Sequence, residues 1–175
     1  LDELIKKLDE KSLIAVDTET SSLNPQEADL VGVSICYDVN EAFYIPVGHK
    51  EITELKKDVV IKKLKPILED PSIKKVGQNI KYDFIIFKNH GIELSSVEDT
   101  MLLSYTLDAG NNRHNMDTLS ELHLGHKTIS YKDLVGTGKK QLNFSEVDLK
   151  SATEYAAEDA DITLRLYEVL SERVS

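Results

Sequence analysis

The stretch LIAVDTETSSL, from Leu13 to Leu23, decides how the rest of the chain is read. Four apolar residues, Leu13 to Val16, lead into DTETSSL, and a turn-rich segment with Asn24 and Pro25 follows. Leu13 to Thr20 therefore reads as a buried strand with acids at its exit. Side chains two apart on a strand share a face, so Asp17 and Glu19 point one way while Val16 and Thr18 point the other. Two carboxylates on one face at a strand end repel each other unless a cation sits between them, and a hard divalent cation with oxygen ligands suits that geometry. A solvated loop edge carries the same Asp-x-Glu pair, so the assignment depends on acids elsewhere in the chain.

Working outward, Leu1, Leu4, Ile5 and Leu8 recur at helical spacing and predict a short first helix. Leu30 to Tyr37 and Glu41 to Val47 read as two further strands joined by a hairpin turn at Asp38 to Asn40, with Pro46 marking an edge or a strand end. Thr53 to Glu69 reads as a helix with Leu55, Val59, Leu64 and Leu68 among its apolar positions, stopped by Pro71. Lys74 to Gly77 is a short strand leading into a helix that Asn79 caps or starts and Gly91 ends. Glu93 to Val97 is extended, Asp99 to Leu107 helical, Asn111 to Asn115 a loop, and Met116 to Leu124 a helix closed by Gly125. His126 to Leu142 is the least regular part, and a last helix runs from near Asp148 almost to the C-terminus. Strands first and mostly helices after, with one strand–helix–strand crossover, argue for a mixed sheet packed by helices.

The chain has 175 residues, which suggests one domain, 1–175. Hydrophobic residues make up 41% of it, enough for a sizeable core. With 21 basic against 31 acidic residues the net charge is −10, the wrong sign for gripping nucleic acid by charge alone. A polyanionic substrate would need bound cations or a partner domain to offset the acid. Cys36 is the single cysteine, which excludes an internal disulfide or a cysteine metal cage and favours a reducing, cytoplasmic setting. Leu1 to Lys11 is charged and amphipathic rather than a signal peptide, and no apolar run approaches membrane-spanning length, so no membrane partner is expected. The first residue is not Met, and Leu1 reads as the cut end of a longer chain.

Two more pairs complete the constellation. Asn79 and Asp83 are four apart on one predicted helix and share a face, as do Tyr155 and Asp159 on the last. Asp159 also lies in an acidic run with Glu158 and Asp161, so a helix-surface charge is the competing reading there. Four acids from three separate elements, a strand and two helices, each with a polar or aromatic companion, are harder to dismiss than any one pair.

DTETSSL, KVGQNIKYD, NRHNMDTL and YAAEDADITLRL resemble, in order and spacing, the three exonuclease motifs and intervening segments of the proofreading domain of bacterial DNA polymerase I. The resemblance runs along nearly the whole chain and includes AFYIPVGH and LNFSEV. The broader group is the DEDD exonucleases, in the subset with Tyr four residues before the last Asp (DEDDy). The resemblance implies an α/β, ribonuclease H-like fold, a mixed five-stranded sheet flanked by helices, and 3′→5′ removal of nucleotides from DNA ends. It implies Asp17, Glu19, Asp83 and Asp159 as ligands for two divalent cations, Mg²⁺ or Mn²⁺. Asp17 would touch both, Glu19 and Asp159 would complete the first site, and Asp83 would serve the second largely through water. Tyr155 would orient the attacking water.

The chemistry agrees with these roles. A phosphodiester is anionic and resists hydroxide. One cation lowers the pKa of bound water, the other stabilises the leaving 3′ oxygen, and two about 4 Å apart clamp an in-line displacement. Oxygen ligands select Mg²⁺ or Mn²⁺ over softer metals. A phenol titrates near pH ~10, so Tyr155 positions by hydrogen bonding rather than acting as a strong base.

For grip on the strand, Leu23 resembles the family's apolar wedge between the last bases, and Phe144 the aromatic that meets the 3′-terminal nucleotide. Stacking a base on an aromatic ring is worth ~1–3 kcal/mol and tolerates any sequence. Core packing is the alternative for both. Gln78, Asn79, Tyr82 and Arg113 resemble contacts to the terminal nucleotides or phosphate, with a surface ion pair the alternative for Arg113. GTGKKQ around Gly136 lacks the spacing of a phosphate loop and reads as a mobile basic loop near the DNA. His49, His90, His114, His123 and His126 show no metal-ligand spacing, and surface or capping roles are expected of them.

The expected function is proofreading on single-stranded or frayed 3′ ends, releasing nucleoside 5′-monophosphates beside a polymerase domain in the same or an associated chain. Two alternatives remain: a catalytically silent scaffold of the same fold that binds nucleic acid or a polymerase module, and an RNA-trimming, ribonuclease D-like exonuclease.

Overall fold

The structure, a computed structural model, describes residues 1–51 and 53–175. Five strands, β1 (Leu13–Thr20), β2 (Leu30–Asp38), β3 (Glu41–Pro46), β4 (Lys74–Gly77) and β5 (Val97–Asp99), form one sheet in the order β3-β2-β1-β4-β5. The β1–β2 and β2–β3 pairs are antiparallel, whereas β1–β4 and β4–β5 are parallel. This is the expected mixed five-stranded sheet. The turn joining β2 to β3 places Asn40 at φ 67°, in the left-handed region that Asn tolerates. As expected, β3 is an edge strand ending at Pro46.

Helices α1 (Asp2–Asp9), α2 (Lys57–Glu69), α3 (Ile80–Asn89), α4 (Thr100–Asp108), α5 (Met116–Leu124), α6 (Tyr131–Val135) and α7 (Leu149–Val174) cover the sheet. The two faces of β1 meet different helices. Ile14 and Val16 join a large core with Leu64 and Leu68 of α2 and Ile86 and Phe87 of α3. Ala15 on the opposite face packs with Cys36 of β2 and with Ala160 and Leu164 of α7. Ala152, Ala156 and Ala160, one per turn of α7, are fully buried, and their small side chains let the helix lie close to the strands. Each fully buried Leu, Ile or Phe contributes ~1.5–3 kcal/mol, so this alternation fixes the register of β1.

Several boundaries differ from expectation. Helix α2 begins at Lys57 rather than Thr53; Leu55 packs on the core from outside the helix. Its buried stripe runs through Val60, Leu64, Ile67 and Leu68, while Val59 is exposed. The helix ends before Asp70, which is extended ahead of Pro71 as residues preceding proline are. Strand β5 spans Val97–Asp99, later than the predicted Glu93 to Val97, because pairing with β4 starts only at Lys75↔Val97.

Asn79 does precede α3, but at φ 57° and without a side-chain cap. The cap comes from Asp99, which accepts from the backbone N–H groups of Asn79 (2.8 Å), Ile80 (3.2 Å) and Met101 (2.9 Å). One carboxylate thus closes the N-termini of both α3 and α4, satisfying donors that each helix leaves orphaned. The irregular stretch after His126 contains α6 and a short 3₁₀ turn at Gly138–Lys140, and a second turn at Phe144–Glu146 precedes α7.

Candidate active site

The site forms where β1 outlasts its parallel neighbour. Pairing of β1 with β4 ends at Ala15↔Val76, after which Gly77 leads the chain away into α3. The Thr18 N–H faces that vacated edge and donates to Asp83 Oδ1 at 2.9 Å, and the Thr18 hydroxyl donates to the same oxygen. Asp83 of α3 is thereby drawn to the strand exit in place of a strand neighbour. On the other face, α7 brings Asp159 to Asp17 and Glu19. One carboxylate oxygen from each of these three lies within 4.8 Å of the others. Asp83 lies outside that trio but lines the same cleft, of about 1070 Å³.

Helix geometry also sorts the acidic run on α7. Asp161 binds Arg165 (3.2 Å) and the Asn40 N–H (3.0 Å), and Glu158 accepts from the Ile129 N–H at 2.6 Å. Asp159 alone of the three lines the cleft.

The electrostatics are those of a site short of positive charge. Burial pushes the Asp17 carboxyl up to about 6, opposed by hydrogen bonding to the Thr18 backbone and to Glu19. Burial raises Glu19 well above the usual range, and repulsion from Asp17, Asp159 and Asp83 raises it further. Asp83 and Asp159 are likewise raised, first by burial and then by Asp17. The donors are carboxylate oxygens, with neither Cys nor His in the cluster, which is the chemistry of a hard divalent cation. The residues fit the group. Tyr155, one turn before Asp159, is pushed further above its ordinary value by burial and then by Asp159 and Glu19, so its hydroxyl keeps its proton.

Of the residues singled out in the sequence, all but Arg113 line this cleft. Arg113 is exposed in the loop after α4. Leu23 is 95% exposed, which excludes core packing for it. Phe144 is 1% exposed and packs with Val31, Val135, Val147 and Ala152, so the packing reading describes its placement. Tyr131 stacks parallel over it at 6.4 Å between centroids and carries the more open ring. Gln78 is occupied at both ends, donating to His114 O at 2.8 Å and accepting from the Thr100 hydroxyl. Asn79 is exposed at the cleft. The Tyr82 hydroxyl donates to Ser22 O at 2.6 Å and meets the Thr20 hydroxyl, holding the turn that presents Leu23.

Three features were not anticipated. Tyr131 and Lys132 reach the cleft from α6, a helix too short to show periodicity. Tyr44 leans over Gly32, where a Cβ would lie 2.1 Å from its hydroxyl, and that hydroxyl bonds His49 Nε2 at 2.6 Å. His114, expected at the surface or as a cap, is buried against Ser104 (2.7 Å) and Tyr105. The basic turn contributes Gly136, Thr137 and Gly138 to the cleft wall.

A sheet in this order, with carboxylates from its central strand and from helices on both faces meeting at the strand exit, defines an α/β fold of the ribonuclease H-like class. A family model described as 3′-5′ exonuclease matches residues 1–175, and the chain belongs to that family. It is 46% identical over 179 residues to DNA polymerase I of Pseudomonas aeruginosa, covering 99% of this chain and 20% of that protein. The chain thus spans about a fifth of the length of the curated relatives it matches. Among solved structures, ribonuclease D of Trypanosoma brucei superposes with a TM-score of 0.78 at 20% identity, covering 97% of this chain and 60% of that one. NrnC of Brucella melitensis with bound Mg²⁺ gives 0.70 at 23% identity, covering 94% and 74%. Both share the fold.

Proposed function

We propose that residues 1–175 are a single metal-dependent 3′→5′ DNA exonuclease domain, the proofreading module of a DNA polymerase I-like enzyme. It removes nucleoside 5′-monophosphates from single-stranded or frayed 3′ ends. The meeting of Asp17, Glu19 and Asp159 oxygens within 4.8 Å, with Asp83 on the same cleft, carries this reading. The likeness to DNA polymerase I along 99% of the chain favours DNA and a polymerase partner.

Asp17, Glu19 and Asp159 would hold one Mg²⁺ or Mn²⁺ ion, and Asp17 with Asp83 a second. Bound there, such ions supply water activation and leaving-group stabilisation. The chain's own residues do the rest. Tyr155, protonated at neutral pH, donates a hydrogen bond that orients the attacking water and gives the site the DEDDy pattern. Leu23, fixed by the Tyr82 and Thr20 hydroxyls on Ser22 O, wedges against the terminal bases. Phe144 forms the apolar floor beneath the last nucleotide. Gln78 braces the loop carrying Arg113 through His114 O, while Asn79, Tyr82 and Arg113 meet the terminal nucleotides or phosphate.

End-labelled single-stranded DNA incubated with Mn²⁺ tests the reading. Stepwise shortening with mononucleotide release is expected, abolished by EDTA and by Asp159→Ala. Undiminished cleavage by that variant sinks the assignment. An RNA oligonucleotide of equal length, cut faster than the DNA, would make the enzyme a ribonuclease instead.

A further inference from the structure

Ser34 sits in the middle of β2, directly across from Asp17 on β1 and from Tyr44 on β3. Directly opposed residues of an antiparallel pair point to the same face, with Cβ atoms about 4.5–5.5 Å apart. Ser34 is 0% exposed, and its hydroxyl has no hydrogen-bond partner. Among the described residues one other buried side-chain atom shares that condition, His49 Nδ1, and it lies beside the Val147 backbone.

A buried hydroxyl without a partner costs ~1–3 kcal/mol, so an orphan of this kind in a well-packed sheet calls for an explanation. Its neighbours offer no structural one. The Tyr44 hydroxyl is taken by His49, and the Tyr44 ring leans over Gly32 rather than over Ser34. Two residues along β2, Cys36 packs among Ala15, Ala160 and Leu164, and its thiol is already paired with Asp38 O at 3.0 Å. On β1, Asp17 is the polar side chain directly opposite.

We propose that Ser34 is a positioning residue for Asp17: when a divalent cation draws the Asp17 carboxylate into place, the Ser34 hydroxyl, unpaired without the cation, donates to it and holds it in the ligating orientation. Partners of this kind, which touch a ligand rather than the metal, fix the ligand's direction, and their loss weakens metal binding ~10–100-fold. The inference rests on the proposed function only in needing a cation at Asp17, so it is tested on the 175-residue chain without DNA.

Mn²⁺ is titrated calorimetrically into the wild type, Ser34→Ala and Ser34→Cys, and the metal-free melting midpoint of each is recorded. Ser34→Ala is expected to raise the Mn²⁺ Kd ~10–100-fold while leaving the metal-free midpoint unchanged or higher, because the orphaned hydroxyl is gone. Ser34→Cys, a weaker donor of similar shape, should fall between. An unchanged Kd for Ser34→Ala overturns the inference. So does a raised Kd accompanied by a lowered metal-free midpoint, since loss of packing then explains both. Wild type that fails to bind Mn²⁺ would overturn the proposed function as well, whereas normal wild-type binding with an indifferent Ser34→Ala removes the Ser34 role alone.

Discussion

The Thr18 backbone N–H donates to Asp83 Oδ1 at 2.9 Å, joining residues 65 apart in the chain. Asp83 therefore does two jobs: it closes the edge of β1 that β4 leaves open, and it supplies a carboxylate to the cleft. Asp83→Ala leaves the Thr18 N–H and hydroxyl unpaired and should destabilise the fold by ~1–3 kcal/mol. Asp83→Asn keeps an acceptor and should remain near wild-type stability while losing the charge. Urea unfolding of the two variants checks this, and equal loss in both would refute the edge-closing role.

Mutual repulsion among buried carboxylates should make the metal-free protein less stable than the cation-bound one. Saturating Mn²⁺ at 100 times its Kd should add ~2.7 kcal/mol, read as a rise in melting midpoint. The Asp17 carboxyl, raised to about 6, binds protons more tightly folded than unfolded. Its contribution to metal-free stability is therefore present at low pH and is lost as pH rises from ~4 through 6. Protons compete with Mn²⁺ below that point, so the gain from Mn²⁺ should be larger at pH 7.5 than at pH 5. Asp159→Asn should raise the metal-free midpoint and erase most of the Mn²⁺ gain.

Lys75 is fully buried, with its ammonium donating to Asp70 O and Ile73 O, each at 2.6 Å. Burial lowers its pKa to about 8, against a partial upward pull from Asp70. An unfolded lysine titrates near ~10.4, so between those values the unfolded chain binds more protons and stability rises with pH. The wild type should gain stability relative to Lys75→Met between pH 8 and 10. A flat difference across that interval in chemical denaturation would show that the ammonium stays charged.

Leu23 and Phe144 should separate cleanly. Leu23→Ala removes an exposed side chain and should change stability by less than ~0.5 kcal/mol, while raising KM for single-stranded DNA about fivefold. Phe144→Ala empties a buried position and should cost ~3–5 kcal/mol of stability. Thermal melting alongside exonuclease kinetics distinguishes the two.

Much of the fold was legible along the chain. The alternation in LIAVDTET puts Asp17 and Glu19 on one face in any strand, and Gly125 and Asp148 end and start helices by local rules. The i,i+4 spacing also predicts that Asp159 faces as Tyr155 does. Local rules failed where capping was distant. Asn79 looks like a helix cap, yet Asp99, twenty residues on, does the capping. Helix α6 is too short for periodicity to reveal it, so Tyr131 was missed.

By itself, then, the order of residues determined the strand that carries the acids, the helices that carry their partners and the family likeness that joins them. Which of Glu158, Asp159 and Asp161 enters the cleft, and that Asp83 bonds to Thr18, that Phe144 is buried while Leu23 is open, and that Ser34 faces Asp17 without a partner were decided by tertiary structure. The reason is that local periodicity sets only which way a side chain points. What it meets there depends on strand register and on how far each neighbour extends, and those are settled by packing across the whole sheet.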